Sequence, residues 1–169
     1  MNNAPFLLDT NCFIEPFRTY YPFCFAPAFW DALIQEHRSG FVFTLAEVKA
    51  EISHRVDDLR DWIEHNDFPS SFILTPDTAT MQKFGEIQSW ANASRYYSPT
   101  EKQKFASKKT DGYLVAHAKA HGMTLVTHEK LVGYDSKVIK IPNLCQQFDV
   151  EYINIFEMLR RLEVRFVLE

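Results

Sequence analysis

Long apolar runs are missing from this chain, and with them any stretch able to cross a bilayer as a helix. The opening residues, Met-Asn-Asn-Ala-Pro, lack the positive start and apolar segment of a secretory signal. Cysteine is scarce. Cys12, Cys24 and Cys145 are odd in number, widely separated and without C-x-x-C spacing. This argues against a disulfide framework or a cysteine-rich zinc site. The apolar surroundings of Cys24 and Cys145 mark both as core residues. There is no Pro/Gly-rich linker, low-complexity tract or internal repeat. Neither a G-x-x-x-x-G-K-[ST] phosphate loop nor a G-x-S-x-G nucleophile elbow is present. These absences point to a cytoplasmic, non-membrane chain of 169 residues forming one domain, 1–169.

What is present is apolar mass. Hydrophobic residues make up 46% of the sequence, with 15 Phe, which is ample for a buried core and too much for disorder. The net charge of -4 disfavours a non-specific nucleic-acid coat, since such proteins are usually basic. It leaves room for several acids gathered in one pocket.

Strand and helix patterns alternate. Pro5-Phe-Leu-Leu-Asp9 reads as a buried strand, followed by a short helix from Asn11 to about Arg18 that Pro16 limits. Apolar residues at helical spacing run from Ala26 to Ser39, with Gly40 as the stop. Phe41-Val-Phe43 reads as a strand, and Thr44 opens a helix toward His65 with a break near Asp57-Asp58. Phe72-Ile-Leu74 is a third strand, with helices over Asp77–Ala93 and Pro99–Ser107. An amphipathic helix from Asp111 to His121 ends at Gly122 and leads into the strand Met123–Thr127. Lys137–Ile141 and Tyr152–Ile155 read as late strands, and Phe156–Leu162 as a last helix. The alternation predicts an α/β fold with a largely parallel sheet, whose ligands bind at the carboxyl edge of the strands.

Four acids fall at that edge. Asp9 ends the first strand, Glu47 lies in the first turn after the second, Asp111 begins a helix feeding a strand, and Glu129 follows that strand. Each has a bland alternative. Asp9 and Asp111 suit helix starts, Thr44-Leu-Ala-Glu47 spells a capping box, and Glu129 could be an ordinary surface residue. The conjunction is harder to dismiss. Two unit charges roughly 4 Å apart repel by about 4 kcal/mol at an effective dielectric near 20. A cation or a proton must relieve such a cluster. All-oxygen donors select Mg²⁺ or Mn²⁺, and hydrolysis of a phosphodiester uses what such an ion offers. Asp9, Asp111 and Glu129 are the expected ligands, Glu47 would hold water or a second ion, and Asn11 and Thr127 would orient the carboxylates.

These segments resemble PIN-domain nucleases. Phe6-Leu-Leu-Asp9-Thr10-Asn11 is similar to that family's opening strand, Thr44-Leu-Ala-Glu47-Val to its second acid, Asp111-Gly-Tyr-Leu-Val-Ala-His-Ala to its third, and Leu125-Val-Thr127-His-Glu129 to its fourth. Tyr20-Tyr-Pro-Phe23, Phe29-Trp30, Ile141-Pro-Asn-Leu-Cys145 and Phe156-Glu-Met-Leu-Arg160 resemble a prokaryotic subgroup placed with VapC-like toxins. The resemblance implies a three-layer α/β/α sandwich with a central parallel sheet. It also implies a Mg²⁺- or Mn²⁺-dependent endoribonuclease, the toxin of a type II pair, with a cognate antitoxin and a homodimer as partners. Glu129 departs from the family, which more often has Asp there. That departure keeps open a non-catalytic module that binds RNA or protein and whose metal site has decayed.

Other groups stand beside these. Glu51 shares the face of Glu47 one turn on. His117 and His121 are four apart without the Glu of a zincin, which reads as a partly exposed structural pair. Arg95-Tyr-Tyr97 and Lys102, Lys104, Lys108 and Lys109 form the basic, aromatic stretch before Asp111. Lys108 and Lys109 are its candidates for tracking RNA phosphates, against the alternative of a solvated helix face.

Overall fold

The computed structural model describes residues 4–167. In chain order its elements are β1 (Phe6–Leu8), α1 (Asn11–Glu15), α2 (Pro27–Arg38), β2 (Val42–Leu45), α3 (Ala46–Ser53), α4 (Asp58–Glu64) and β3 (Ile73–Leu74). There follow α5 (Thr78–Ala93), α6 (Pro99–Ser107), α7 (Thr110–His121), β4 (Thr124–Val126), α8 (Ile141–Gln147), β5 (Tyr152–Ile153) and α9 (Ile155–Arg161). The five strands form one parallel sheet in the order β3-β2-β1-β4-β5, with helices on both faces. This is the three-layer α/β/α sandwich expected from the sequence.

Burial explains the parallel arrangement. Leu7, Leu8, Val42, Leu45, Leu125 and Val126 are fully buried, as strands covered on both faces require. The chain builds one side of the sheet from β1 through β2 to β3, then returns to add β4 and β5 on the other side. The strand order therefore reverses between β1 and β4. At such a reversal the loops after the strands part in opposite directions and leave a crevice at the carboxyl edge.

Several expectations need correction. Helix α1 ends at Glu15, at the limit Pro16 sets and short of the expected Arg18. It passes into a π-helical turn, Pro16–Tyr20, closed by the Tyr21 amide donating to the Pro16 carbonyl at 2.7 Å. Thr44 is a strand residue, because its hydroxyl donates to the Leu8 carbonyl at 2.7 Å and the sheet extends through Leu45. Residues 137–141 form no strand. Lys137 is left-handed (φ 57°) and Ile141-Pro142 starts α8, while β5 takes the place beside β4. Helix α7 is enclosed rather than amphipathic, since every residue from Gly112 to Ala118 is buried. Its central position between α5, α8 and β4 accounts for this. Gly122 (φ 63°) supplies the left-handed residue that ends α7. Cys12 and Cys145 are buried, but Cys24 is exposed in the turn before α2. No described helix is long and apolar enough to cross a membrane.

Candidate active site

The acids gather at the carboxyl edge between β1 and β4. Asp9 follows β1, is 3% exposed, and is pinned through its backbone amide, which donates to the Val126 carbonyl at 3.0 Å. Its Oδ1 accepts from the Thr10 amide at 2.6 Å, and its Oδ2 from the Thr127 hydroxyl at 3.0 Å. Burial raises the Asp9 carboxyl to about 7, and the nearby Asp111 and Glu129 charges push the same way against those two hydrogen bonds. Asp111 sits in the first turn of α7. Burial raises it to about 6, Glu129 and Glu51 add to the rise, and Lys108 and Lys140 oppose it. Both acids are thus strained toward protonation by desolvation and by neighbouring negative charge.

Glu129 faces both of them but is already engaged. Its Oε1 accepts from Lys140 Nζ at 3.0 Å and its Oε2 from the Ile141 amide at 2.9 Å, at the start of α8. Thr127 is buried and serves two groups, donating to Asp9 and accepting from the Glu129 amide at 3.1 Å.

Glu47 and Glu51 come from one face of α3. The capping box does not form, because Thr44 belongs to β2 and Leu45 precedes α3 without a side-chain cap. Glu47 Oε2 is buried and has no hydrogen-bond partner. Glu51 reaches across instead. Its Oε2 accepts from the Thr10 hydroxyl at 2.8 Å and its Oε1 from the Thr110 hydroxyl at 2.7 Å, tying the residue after Asp9 to the residue before Asp111. Sequence reasoning left Glu51 outside the site, although its helical spacing from Glu47 was the available signal. Thr10, Thr110 and Lys140 were missed, and their involvement depends on tertiary contacts that no local pattern carries.

The remaining candidates lie further out. Asn11 is exposed at the first residue of α1. Lys108 is exposed, with its ammonium 3.9 Å from Glu51 Oε1, and Lys109 is exposed just before α7. His117 is buried, contrary to the expectation of a partly exposed residue, because α7 is enclosed from Gly112 to Ala118. His121, at the helix end, is exposed.

The residues fit a hard cation. Two carboxyls raised by burial and by neighbouring negative charge, together with an orphaned buried carboxylate oxygen on Glu47, form an all-oxygen donor set with excess negative charge. The set is open: among the described residues, no three of these acids bring oxygens within 4.8 Å of one another.

The fold has solved counterparts. The chain is similar to a chain in the structure of FitAB bound to IR36 DNA fragment, with 25% identity, a TM-score of 0.55, and coverage of 88% of this chain and 94% of that one. It is also similar to a chain in the crystal structure of FitAcB from Neisseria gonorrhoeae, with 24% identity, a TM-score of 0.52, and coverage of 88% and 96%. These neighbours agree with the resemblance to VapC-like PIN-domain nucleases drawn from the motifs. No curated protein matches the sequence. One family model does match, over residues 6–166, and the chain accordingly belongs to the family described as a domain of unknown function, DUF4411.

Proposed function

We propose that this protein is a divalent-metal-dependent endoribonuclease that hydrolyses RNA phosphodiester bonds, and that it is the toxin of a type II toxin–antitoxin pair in the cytoplasm. The observation that carries the reading is the pair Asp9 and Asp111. Residues a hundred positions apart meet at the sheet's reversal point with both carboxyls raised, to about 7 and about 6. Such a pair is costly to a fold unless a cation offsets it. Likeness to a chain of FitAB supports the toxin half of the reading, and with it a protein partner.

Asp9 and Asp111 would hold Mg²⁺ or Mn²⁺, with Glu129 and Glu47 as further oxygen donors. The ion supplies polarisation of a phosphate oxygen and activation of water. The chain's own groups do the rest. Thr127 and the Thr10 amide fix the Asp9 carboxylate, and Glu51 holds Thr10 and Thr110 so that the loop after β1 and the start of α7 keep their spacing. Glu47 Oε2, buried and unpartnered, is the oxygen free to join this donor set. Lys140 and Lys108 place positive charge beside Asp111, where a phosphate would approach.

Cleavage of RNA by the purified protein with Mg²⁺ or Mn²⁺, and its loss with EDTA, is the direct assay. Asp111→Asn should abolish cleavage while far-UV circular dichroism stays unchanged; undiminished cleavage by that variant would sink the assignment. A second reading is a binding module without catalysis. It is favoured by Glu129, whose two oxygens are taken by Lys140 and the Ile141 amide. Calorimetric titration separates the two, since a module with a decayed site would bind RNA but show no Mn²⁺ binding that depends on Asp9.

A further inference from the structure

The end of α7 remote from Asp111 carries a second cluster. His117 and His121 stand one turn apart with ring centroids 4.4 Å from each other. Helix α5 packs antiparallel against α7, so that Asp77, which caps the start of α5, meets the end of α7. Asp77 Oδ2 lies 3.1 Å from His121 Nε2. One potential ligand atom from each of the three residues falls within 4.8 Å of the other two.

Hydrogen bonding settles which nitrogen of the buried histidine is available. Thr80 donates through its backbone amide to Asp77 Oδ1, and its hydroxyl lies 2.7 Å from the same oxygen. The carboxylate has no hydrogen to give, so that bond uses the only hydrogen of the threonine hydroxyl. The hydroxyl also lies 2.8 Å from His117 Nδ1, and can there only accept. His117 therefore carries its hydrogen on Nδ1. With the ring buried at 5% exposure and neutral, the lone pair is on Nε2. A histidine whose Nδ1–H is held by a hydrogen-bonded acceptor while Nε2 is bare is the arrangement that supports metal ligation.

We propose that Asp77, His117 and His121 form a binding site for one divalent transition-metal ion of the zinc class, distinct from the acidic rim. Two imidazoles and a carboxylate suit such an ion, whereas the all-oxygen rim suits Mg²⁺ or Mn²⁺. Ten residues of helix separate His121 from Asp111, a distance of about 15 Å at 1.5 Å per residue. A tetrahedral ion with bonds near 2.0 Å holds its ligand atoms about 3.3 Å apart, so the trio must settle at that spacing. The exposed Asp77 and His121 side chains have the freedom to do so while buried His117 stays fixed. Three protein ligands leave a fourth position for water. Bound there, the ion ties the start of α5 to the end of the helix that begins at Asp111.

The test is calorimetric titration of Zn²⁺ into the full-length protein, with Mg²⁺ in large excess to occupy the acidic rim. A parallel Co²⁺ titration is followed by visible absorption. One Zn²⁺ per chain, a raised Tm and the d–d bands of a four-coordinate Co²⁺ site are expected. His121→Ala and Asp77→Ser should each weaken binding by at least about tenfold. Serine at position 77 keeps a capping oxygen for α5, so a folding defect would not account for the loss. Asp111→Asn should leave Zn²⁺ binding as it was. Absence of binding, unchanged affinity in both variants, or loss in Asp111→Asn would overturn the proposal.

Discussion

Replacing Asp9 by Asn should make the metal-free protein more stable at alkaline pH. The Asp9 carboxyl is raised from 3.8 to about 7 in the folded state. A folded-state value above the unfolded one means that the native protein binds the extra proton. The associated stability is complete below about pH 4 and is lost as pH climbs through 7. At 1.36 kcal/mol per unit, a shift of roughly three units corresponds to about 4 kcal/mol as an upper bound. Asparagine has the same shape and no charge, and can keep the bond from the Thr10 amide. Thr127 would have to turn and accept from the new amide, leaving its own hydrogen unmatched at a cost of about 1 kcal/mol. The expected net gain near pH 8 is therefore about 2–3 kcal/mol, shrinking to nothing or reversing near pH 4.5. Urea denaturation of both proteins in EDTA at the two pH values measures this. A variant no more stable than the parent near pH 8, or a difference that is the same at both pH values, would refute the account of Asp9. Mn²⁺ should then raise the parent's midpoint and leave that of Asp9→Asn nearly unmoved.

Two further substitutions probe the frame around the acids. A Cβ on Gly112 would lie 2.6 Å from Phe84 Cε2 and 3.2 Å from Phe105 Cζ. Gly112→Ala should therefore lose about 1–2 kcal/mol, overpacking outweighing the helix preference of alanine, and an unchanged thermal midpoint would contradict it. Glu51→Ala removes the acceptor of both the Thr10 and Thr110 hydroxyls and one like charge beside Asp111. The Asp111 carboxyl should titrate at lower pH in ¹³C NMR, and stability should fall by about 1–3 kcal/mol. An Asp111 titration identical to that of the parent would show that Glu51 does not act on it.

Some of this was readable in advance and some was not, for physical reasons. Buried strands announce themselves as apolar runs, which is why β1 and β4 and the acids after them were found within a residue or two. The helix stop at Gly122 followed from local chemistry, and at the break expected near Asp57-Asp58 the Asp57 side chain accepts from the Arg60 amide. Thr44 misled because Thr-x-x-Glu is as much a capping box in isolation as it is here a strand end. Only the bond from its hydroxyl to the Leu8 carbonyl, 36 residues away, decides between them. Residues 137–141 misled in the opposite sense. Alternating apolar residues satisfy a strand pattern, but a strand needs an edge to pair with, and β5 occupies it. Glu51, Lys140 and the role of Thr80 belong to contacts between distant segments, and a pattern confined to one segment cannot report them.

The reversal of strand order between β1 and β4 also has a temporal meaning. Asp9 is made 118 residues before its hydrogen-bond partner Thr127, and nearly as long before Val126. While the chain is still being synthesised, Asp9 has neither the strand that holds it nor the second acid that faces it. Closing a contact between residues so far apart is slow and comes late in folding. A nascent or truncated chain ending before β4 would carry most of the acids without the strand that holds Asp9, so whatever activity the site confers begins only after β4 has been made and has paired with β1.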